Sequence, residues 1–413
     1  MMRRFCAYVE KVFGLSDHLS RLTDNRKRPQ IPTAAAFACG LTLFATRRGS
    51  LNALEEDLRV PGRLQGLVGQ EPPSVDSVGR IYAQMDSQPL RQILSDVAYQ
   101  LKRNKALPST EGYRAAAVDG HEFFSSRKRC CPQCQTRTVT VDGEAVTEYY
   151  HQGVVCQLIG QELALALDVE LLLPGEGEET AAKRLLERVF LQYPRSFDIV
   201  VGDALYFDAP FINFCLDHHK HVIITAKGEH RLLLQDAAGL FAQQEPARFL
   251  AERGRRTVQY WDEEGFTSCE GVKKPLRVLS TVEHLRRRER IAGQWQETEQ
   301  TVRWSWTTTL KKTQLSPQGL WSIGHGRWGI ENNGFNVLSA HWGLDHCFKH
   351  APAAIVNFLL TSFLVYALLQ SFYQRNLKPT AHKPQTLIGL AAELHRGVAD
   401  GLAPWSGQLA RAP

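Results

Sequence analysis

Apolar positions in the first quarter of the chain recur at helical spacing. TAAAFACGLTLFA (33–45) is an apolar helix candidate, and VDSVGRIYAQM (75–85) and PLRQILSDVAYQLKR (89–103) follow with helical periods. Pro29, Pro32, Pro61, Pro72, Pro73 and Pro89 cut this region into short pieces, and KALPSTEG (105–112) reads as a linker. From Tyr113 the period changes. A short apolar run, Ala115–Val118, precedes two β-rich runs, Tyr149–Ile159 and Leu163–Leu173, separated by Gly160 and Gln161. GEGEETAAKRLLERVFLQYP then starts acidic and continues with helical spacing, so its charges suit the helix dipole. FDIVVGD reads as a strand, Ala209–His218 as a short helix and His221–Ala226 as a buried strand. Residues 228–315 are charged and carry strand-like runs such as PLRVLSTV and QTVRWSWTTTL, and a helix resumes near His325. The most apolar stretch, Ala351–Leu369, contains Pro352, Asn357, Thr361 and Ser362. It reads as a buried core helix, because a membrane span needs about 20 predominantly apolar residues.

The element order from Tyr113 is β-β-β-α-β-α-β, the sequence of elements in an RNase H-like α/β core. The expected fold is α/β: a helical N-terminal region over 1–110, a core of 111–227 and 316–375, a β-rich insertion over 228–315 and a C-terminal tail over 376–413. A chain of 413 residues is longer than one ordinary core accommodates, which agrees with appended pieces.

Composition sharpens the picture in two places. With 43% hydrophobic and 22% charged residues the chain can bury a sizeable core and does not read as disordered. The net charge of +6 is carried by residues 1–110, which hold 16 Lys/Arg against 10 Asp/Glu, leaving 33 of each sign elsewhere. A polyanion partner is one reading, since basic side chains that neutralise phosphates release counterions; a solvated surface is the other. MMRRFCAYVEKVFG has charges but no apolar run with a small-residue cleavage site, and nine irregularly spaced cysteines do not form a disulfide framework. Both features suit a reducing cytoplasm.

Candidate chemistry rests on carboxylates. Asp119 ends the run AAAV and Asp203 ends IVVG, so each sits at the C-terminal end of a predicted strand, the edge where open α/β sheets place ligands. Glu331 comes from the late helix. Three such acids supply hard oxygen donors able to share two magnesium ions at a phosphodiester. Taken singly, an Asp after a strand is more often a turn or helix cap.

The stretches AAAVDGHEFF around Asp119, VVGDALYFDAPF around Asp203 and GRWGIENNGFNVL around Glu331 resemble the DDE transposases of bacterial insertion sequences that carry a β-rich insertion before the final glutamate. The likeness covers about residues 113–370. It implies an enzyme that holds Mg2+ or Mn2+ on Asp119, Asp203 and Glu331, cuts a DNA strand to leave a 3′-hydroxyl, and joins that hydroxyl to target DNA. DNA is the implied partner, with a homodimer in the DNA complex, no membrane, and a bacterial cytoplasmic, nucleoid-associated location. The family's Arg four residues before the Glu is matched by Arg327, on one helix face with Glu331 and able to hold a phosphate. The family often has a Tyr where this chain has Gly324 and a Lys where it has Leu338. His325 and Asn332, with Asn336 and Ser339, are the candidates to take over DNA contacts. A metal-dependent nuclease without strand transfer, or a domesticated DNA-binding protein that has lost catalysis, are the alternatives.

A second metal is suggested by CCPQC, where Cys131 and Cys134 have the spacing of half a zinc site. A returning strand could add His151 and Cys156 to complete a structural zinc; a surface turn with free thiols is the other reading. The basic run SSRKRC beside it suits a phosphate backbone. Trp261, Trp295, Trp304 and Trp306, with RRRER at 286–290, either stack on transposon-end bases or pack a small sheet. His218, His219 and His221 read as the polar end of a helix, with no metal.

Overall fold

A helix that is apolar on every side has no wet face and must be surrounded by protein, and one such helix organises much of this chain. The computed structural model describes residues 1–60, 72–228, 231–291, 294–378 and 386–399. The chain divides into two compact units: Met1–Leu107, Gly120–Ser196 and Ile330–Pro413 form one, and Pro108–Asp119 and Phe197–Gly329 the other.

In the first unit the helix Pro352–Ser371 is buried almost throughout and packs on Thr33–Ala45, Val75–Tyr82 and Ser87–Arg103. Two of its polar side chains bond to backbone groups of the same unit. Asn357 Nδ2 donates to the carbonyls of Tyr82 and Met85 at 2.9 Å each, and the Gln370 side chain bonds both backbone groups of Ala164 at 2.9 Å. The Tyr82 ring stacks on Phe358 with centroids 3.9 Å apart, and its hydroxyl occupies the space a Cβ at position 40 would need, so Gly40 is required there. Among the described residues this is the one helix long and apolar enough to cross a membrane, yet 83% of its apolar window is buried in the protein, as expected of a core helix. Because it packs on the early helices, residues 1–107 share a compact unit with 120–196 and 330–413. Within the expected tail, Leu387–Ala399 is helical and packs on Met2–Phe13, while 379–385 and 400–413 lie outside the described residues. Pro61 and the side chains of Arg287 and Glu289 also lie outside them.

The strands of this unit are the later part of β1 (Ala115–Ser126), β2 (Gln135–Val141), β3 (Glu144–Ile159) and β4 (Leu165–Leu171). β2 and β3 pair antiparallel from Val141↔Glu144 to Gln135↔Tyr150. Asp142 (φ 51°) and Gly143 (φ 87°) close the hairpin with two positive φ values, the pattern of the tight hairpin turn that matches strand twist. This makes four strands before the first core helix, Glu178–Gln192, where three were expected; β2 is the addition. β3 continues into β4, with a register shift between Cys156 and Gln157.

In the second unit β1 (to Asp119), β5 (Ile199–Gly202) and β6 (His221–Thr225) run parallel. The buried run IVVG explains why β5 has no polar face. β10 (Gln294–Thr308) joins β6 antiparallel, with Trp306↔Thr225, and is followed outward by β9 (Leu276–Ile291), β8 (Arg256–Phe266) and β7 (Ala247–Ala251). The stretch expected as an insertion is β-rich, and its strands extend the sheet begun by β1, β5 and β6.

Candidate functional site

The parallel pairing of β1 with β5 places Ala115 opposite Ile199, Ala116 opposite Val200 and Ala117 opposite Val201. Carried two residues further, the same offset sets Asp119 opposite Asp203; Asp203 follows the last residue of β5, whereas β1 continues past Asp119 to Ser126, so the strand end expected at Asp119 is not one. Asp203 Oδ1 accepts the Leu205 N–H at 2.8 Å and so caps the short 3-10 turn Ala204–Tyr206. Gly202 makes that turn possible, since a Cβ there would lie 2.9 Å from the Tyr206 ring. Asp208 caps the helix Ala209–Asp217 through the Phe211 N–H at 2.7 Å.

Arg327 brings a cation to this edge. It is 8% exposed, its Nη1 donates to Asp119 Oδ2 at 3.1 Å, and its guanidinium lies 4.6 Å from the Trp328 ring centroid. The preceding helix, Pro317–Gly326, leads into it. Gly324 stands where the resembling family often has Tyr, and here a Cβ would meet Trp306 Nε1 at 2.6 Å. The indole of Trp306, 1% exposed, fills the space a side chain at 324 would take.

His325, expected as a DNA contact, faces inward to a buried carboxylate that the sequence reading passed over. Its Nε2 lies 2.8 Å from Glu283 Oε1, and its ring meets Trp304, Trp306 and Trp321 edge-on at 5.5, 5.0 and 4.9 Å. Glu283 is fully buried and also accepts from Arg256 Nη1 (2.7 Å), Trp321 Nε1 (2.9 Å) and Thr281 Oγ1 (2.9 Å). Burial alone would raise its pKa, but the bonds and charge from His325, with Trp321 and Thr281, outweigh it and hold the carboxyl below the ordinary glutamate range. The signal was present in the strand parity: Thr281, Glu283 and Leu285 are the buried alternates of β9. Of the four tryptophans singled out, Trp306 is buried, Trp261 donates to the Gln244 carbonyl at 3.0 Å, Trp304 stacks on Trp306, and Trp295 is 63% exposed.

Glu331 belongs to the other unit. The late helix is irregular: an α-helix spans Pro317–Gly326, a turn falls at Arg327, a π-helical stretch covers Ile330–Phe335 and α-helix continues over Asn336–Trp342. Glu331 is half-buried, and Asn332 and Asn336 are exposed. In the same unit His121 bonds Asp345 through Nε2 at 2.8 Å and stacks on Phe335 at 4.4 Å. Gly120 leaves room for the Glu178 carboxylate, whose Oε1 would lie 3.0 Å from a Cβ at 120.

The cysteine pair is completed differently from expectation. Ligand atoms of Cys131, Cys134, His151 and His350 all lie within 4.8 Å of one another. Cys156 is not among them. It is five residues past His151 on β3, an odd separation that turns its side chain to the opposite face roughly 16 Å along the strand, where it is fully buried. Burial, with the field of His350, lowers the His151 pKa to about 4, and burial pushes the Cys134 thiol up to about 11.

Asp119 and Asp203 thus belong to neighbouring parallel strands, Asp119 within β1 and paired with the buried Arg327, Asp203 just past β5. The transposase DDE domain family matches residues 137–368, more than half of the chain, and the protein belongs to that family. Asp203, Arg327 and Glu331 lie within the matched stretch, and Asp119, Cys131 and Cys134 precede it. No curated protein matches the chain.

Proposed function

We propose that the protein is a DNA transposase that cuts and joins transposon ends by phosphoryl transfer, with Asp119, Asp203 and Glu331 as its carboxylates. The observation that carries this reading is the β1–β5 register, paired as far as Ala117↔Val201, whose offset extended by two residues relates Asp119 to Asp203, in a chain of the DDE family. The parallel run of β1, β5 and β6 supports an RNase H-like core.

The donor set suits a hard divalent cation, because all three side chains offer carboxylate oxygen and none offers sulfur or imidazole. Asp119, Asp203 and Glu331 would hold Mg2+ or Mn2+, which supplies activation of the attacking oxygen and charge stabilisation at the phosphodiester. The chain's own contribution is positional. Asp203 is fixed by the Leu205 N–H, and Asp119 is oriented by Arg327, whose planar guanidinium also suits a DNA phosphate. Glu283 and the surrounding tryptophans hold His325, two residues before Arg327, so His325 acts as a positioning residue for that arginine. Asn332 is exposed beside Glu331 and available to the DNA backbone. The basic excess of residues 1–110 adds salt-dependent affinity for DNA, and joining two ends calls for a homodimer. Incubation of purified protein with a supercoiled donor plasmid and magnesium tests the reading: joined products support it, nicks alone indicate a nuclease, and binding alone indicates an inactive DNA-binding protein.

A further inference from the structure

The cluster at Cys131, Cys134, His151 and His350 is separate from the carboxylates and has no part in the reaction proposed above. Zinc bonds to thiolate at about 2.3 Å and to imidazole at about 2.0–2.1 Å, so a tetrahedral site places two sulfurs about 3.8 Å apart and sulfur and nitrogen about 3.6 Å apart. The observed separations are 3.7 Å between the two Sγ atoms, 3.3 Å from each Sγ to His151 Nε2, and 3.2 Å from Cys134 Sγ to His350 Nε2. Four donors thus converge at the spacing of one tetrahedral ion, and both imidazoles present the same nitrogen.

The local backbone supports the same arrangement. The Cys134 N–H donates to the Cys131 carbonyl at 3.1 Å, closing the Cys-Pro-Gln-Cys turn, and the Cys131 N–H donates to Cys134 Sγ at 3.3 Å, a bond that stabilises a thiolate. Phe124 lies 5.4 Å from the His151 ring and 5.5 Å from that of His350, an apolar wall against the imidazoles. Thiolate and imidazole together in a tetrahedral set select zinc over the hard cations that carboxylates prefer.

We propose that Cys131, Cys134, His151 and His350 bind one structural zinc ion. The ion would tie the turn between β1 and β2, and β3, to the segment 343–351 that leads into the buried helix Pro352–Ser371. Two of these ligands are 216 residues apart, and a link of that span restricts the unfolded chain far more than any local contact. The turn also follows the basic run Arg127, Lys128 and Arg129, so zinc fixes the base of a cationic loop.

The test uses the full-length protein, purified without chelators from zinc-supplemented cells. Elemental analysis should give about one zinc per chain. Cys134→Ser and His350→Ala should each lose at least nine-tenths of it, whereas Cys156→Ser and Cys347→Ser should retain it. Folded wild-type protein with less than a tenth of an equivalent, or with Cys131 and Cys134 joined as a disulfide, would overturn the proposal, as would a Cys134→Ser protein that keeps its zinc. Should the variants fail to fold, cobalt substitution of the wild type decides: absorption of a tetrahedral two-thiolate, two-imidazole site supports the proposal, and a spectrum lacking thiolate charge transfer, or one of three thiolates, refutes it.

Discussion

Replacing Glu283 with Gln changes almost no volume and tests whether the buried carboxylate holds the Arg327 end of its unit together. Oε2 takes the Arg256 guanidinium, and Oε1 takes His325, Trp321 and Thr281. Glutamine keeps one acceptor oxygen and sets an N–H2 group against donors on the other side. If its oxygen remains with His325, Trp321 and Thr281, the Arg256 pair is lost; Arg256 also bonds the exposed Glu252 at 2.8 Å, which softens the penalty. Breaking a buried pair by removing one partner costs about 3–5 kcal/mol, and with that relief the expected loss is about 2–4 kcal/mol. For a unit of this size each kcal/mol moves Tm by about 2–4 °C, so the transition should fall by about 5–15 °C. Tryptophan fluorescence is the direct assay, since Trp321 donates to the carboxylate and Trp304 and Trp306 surround its histidine. The pH dependence has a definite sign. The folded-state pKa of Glu283 is depressed, so its contribution is present above the ordinary glutamate pKa of roughly 4.3 and is lost as pH falls through the lower folded value. The gap between wild type and variant should be constant near neutrality and narrow in acid. A variant that melts within about 1 °C of wild type at pH 7, or a gap that widens on acidification, would refute the reasoning.

Two further outcomes follow from close approaches and turns. Gly143→Ala meets no atom within 4 Å but must adopt φ 87°, so it should cost about 1 kcal/mol and appear as faster amide exchange confined to β2 and β3; unchanged exchange would contradict the turn assignment. Restoring the family's residue by Gly324→Tyr should destabilise by at least about 1–3 kcal/mol because Trp306 holds the space, and Trp306→Ala in the same chain should recover part of the loss. Strict additivity of the two changes in a thermal-melt cycle would show that the side chains do not compete.

How much of this was legible in the sequence depended on how local each signal was. β5 and β6 are continuous apolar runs, so Asp203 could be placed at a strand end from its run alone, whereas the polar residues after Val118 hid that β1 runs on past Asp119 to Ser126. The β2–β3 hairpin was equally legible in TVTV-DG-EAVT, whose Asp-Gly is a strong turn signal. The irregularity of the late helix was foreshadowed by Gly324, Gly326 and Gly329, which weaken an α-helix at that point. Cys156 could have been rejected by strand parity. His350 could not have been found, because a ligand more than two hundred residues from its partner leaves no periodic trace, and CFKH resembles any polar turn. The buried role of Glu283 lay between these cases: its parity was readable, but its four donors come from three separate parts of the chain.

The central claim, that these acids perform the chemistry on DNA, is tested most directly by Asp203→Asn. The cap on Leu205 survives this change, since asparagine serves as an N-cap as well as aspartate does, so fold and DNA binding should be preserved. What is removed is the negative charge required to hold divalent ions. Magnesium-dependent cleavage of transposon-end DNA, measured beside a gel shift on the same fragment, should fall by at least about 1000-fold while binding is unchanged. Cleavage by Asp203→Asn at the wild-type rate would contradict the account.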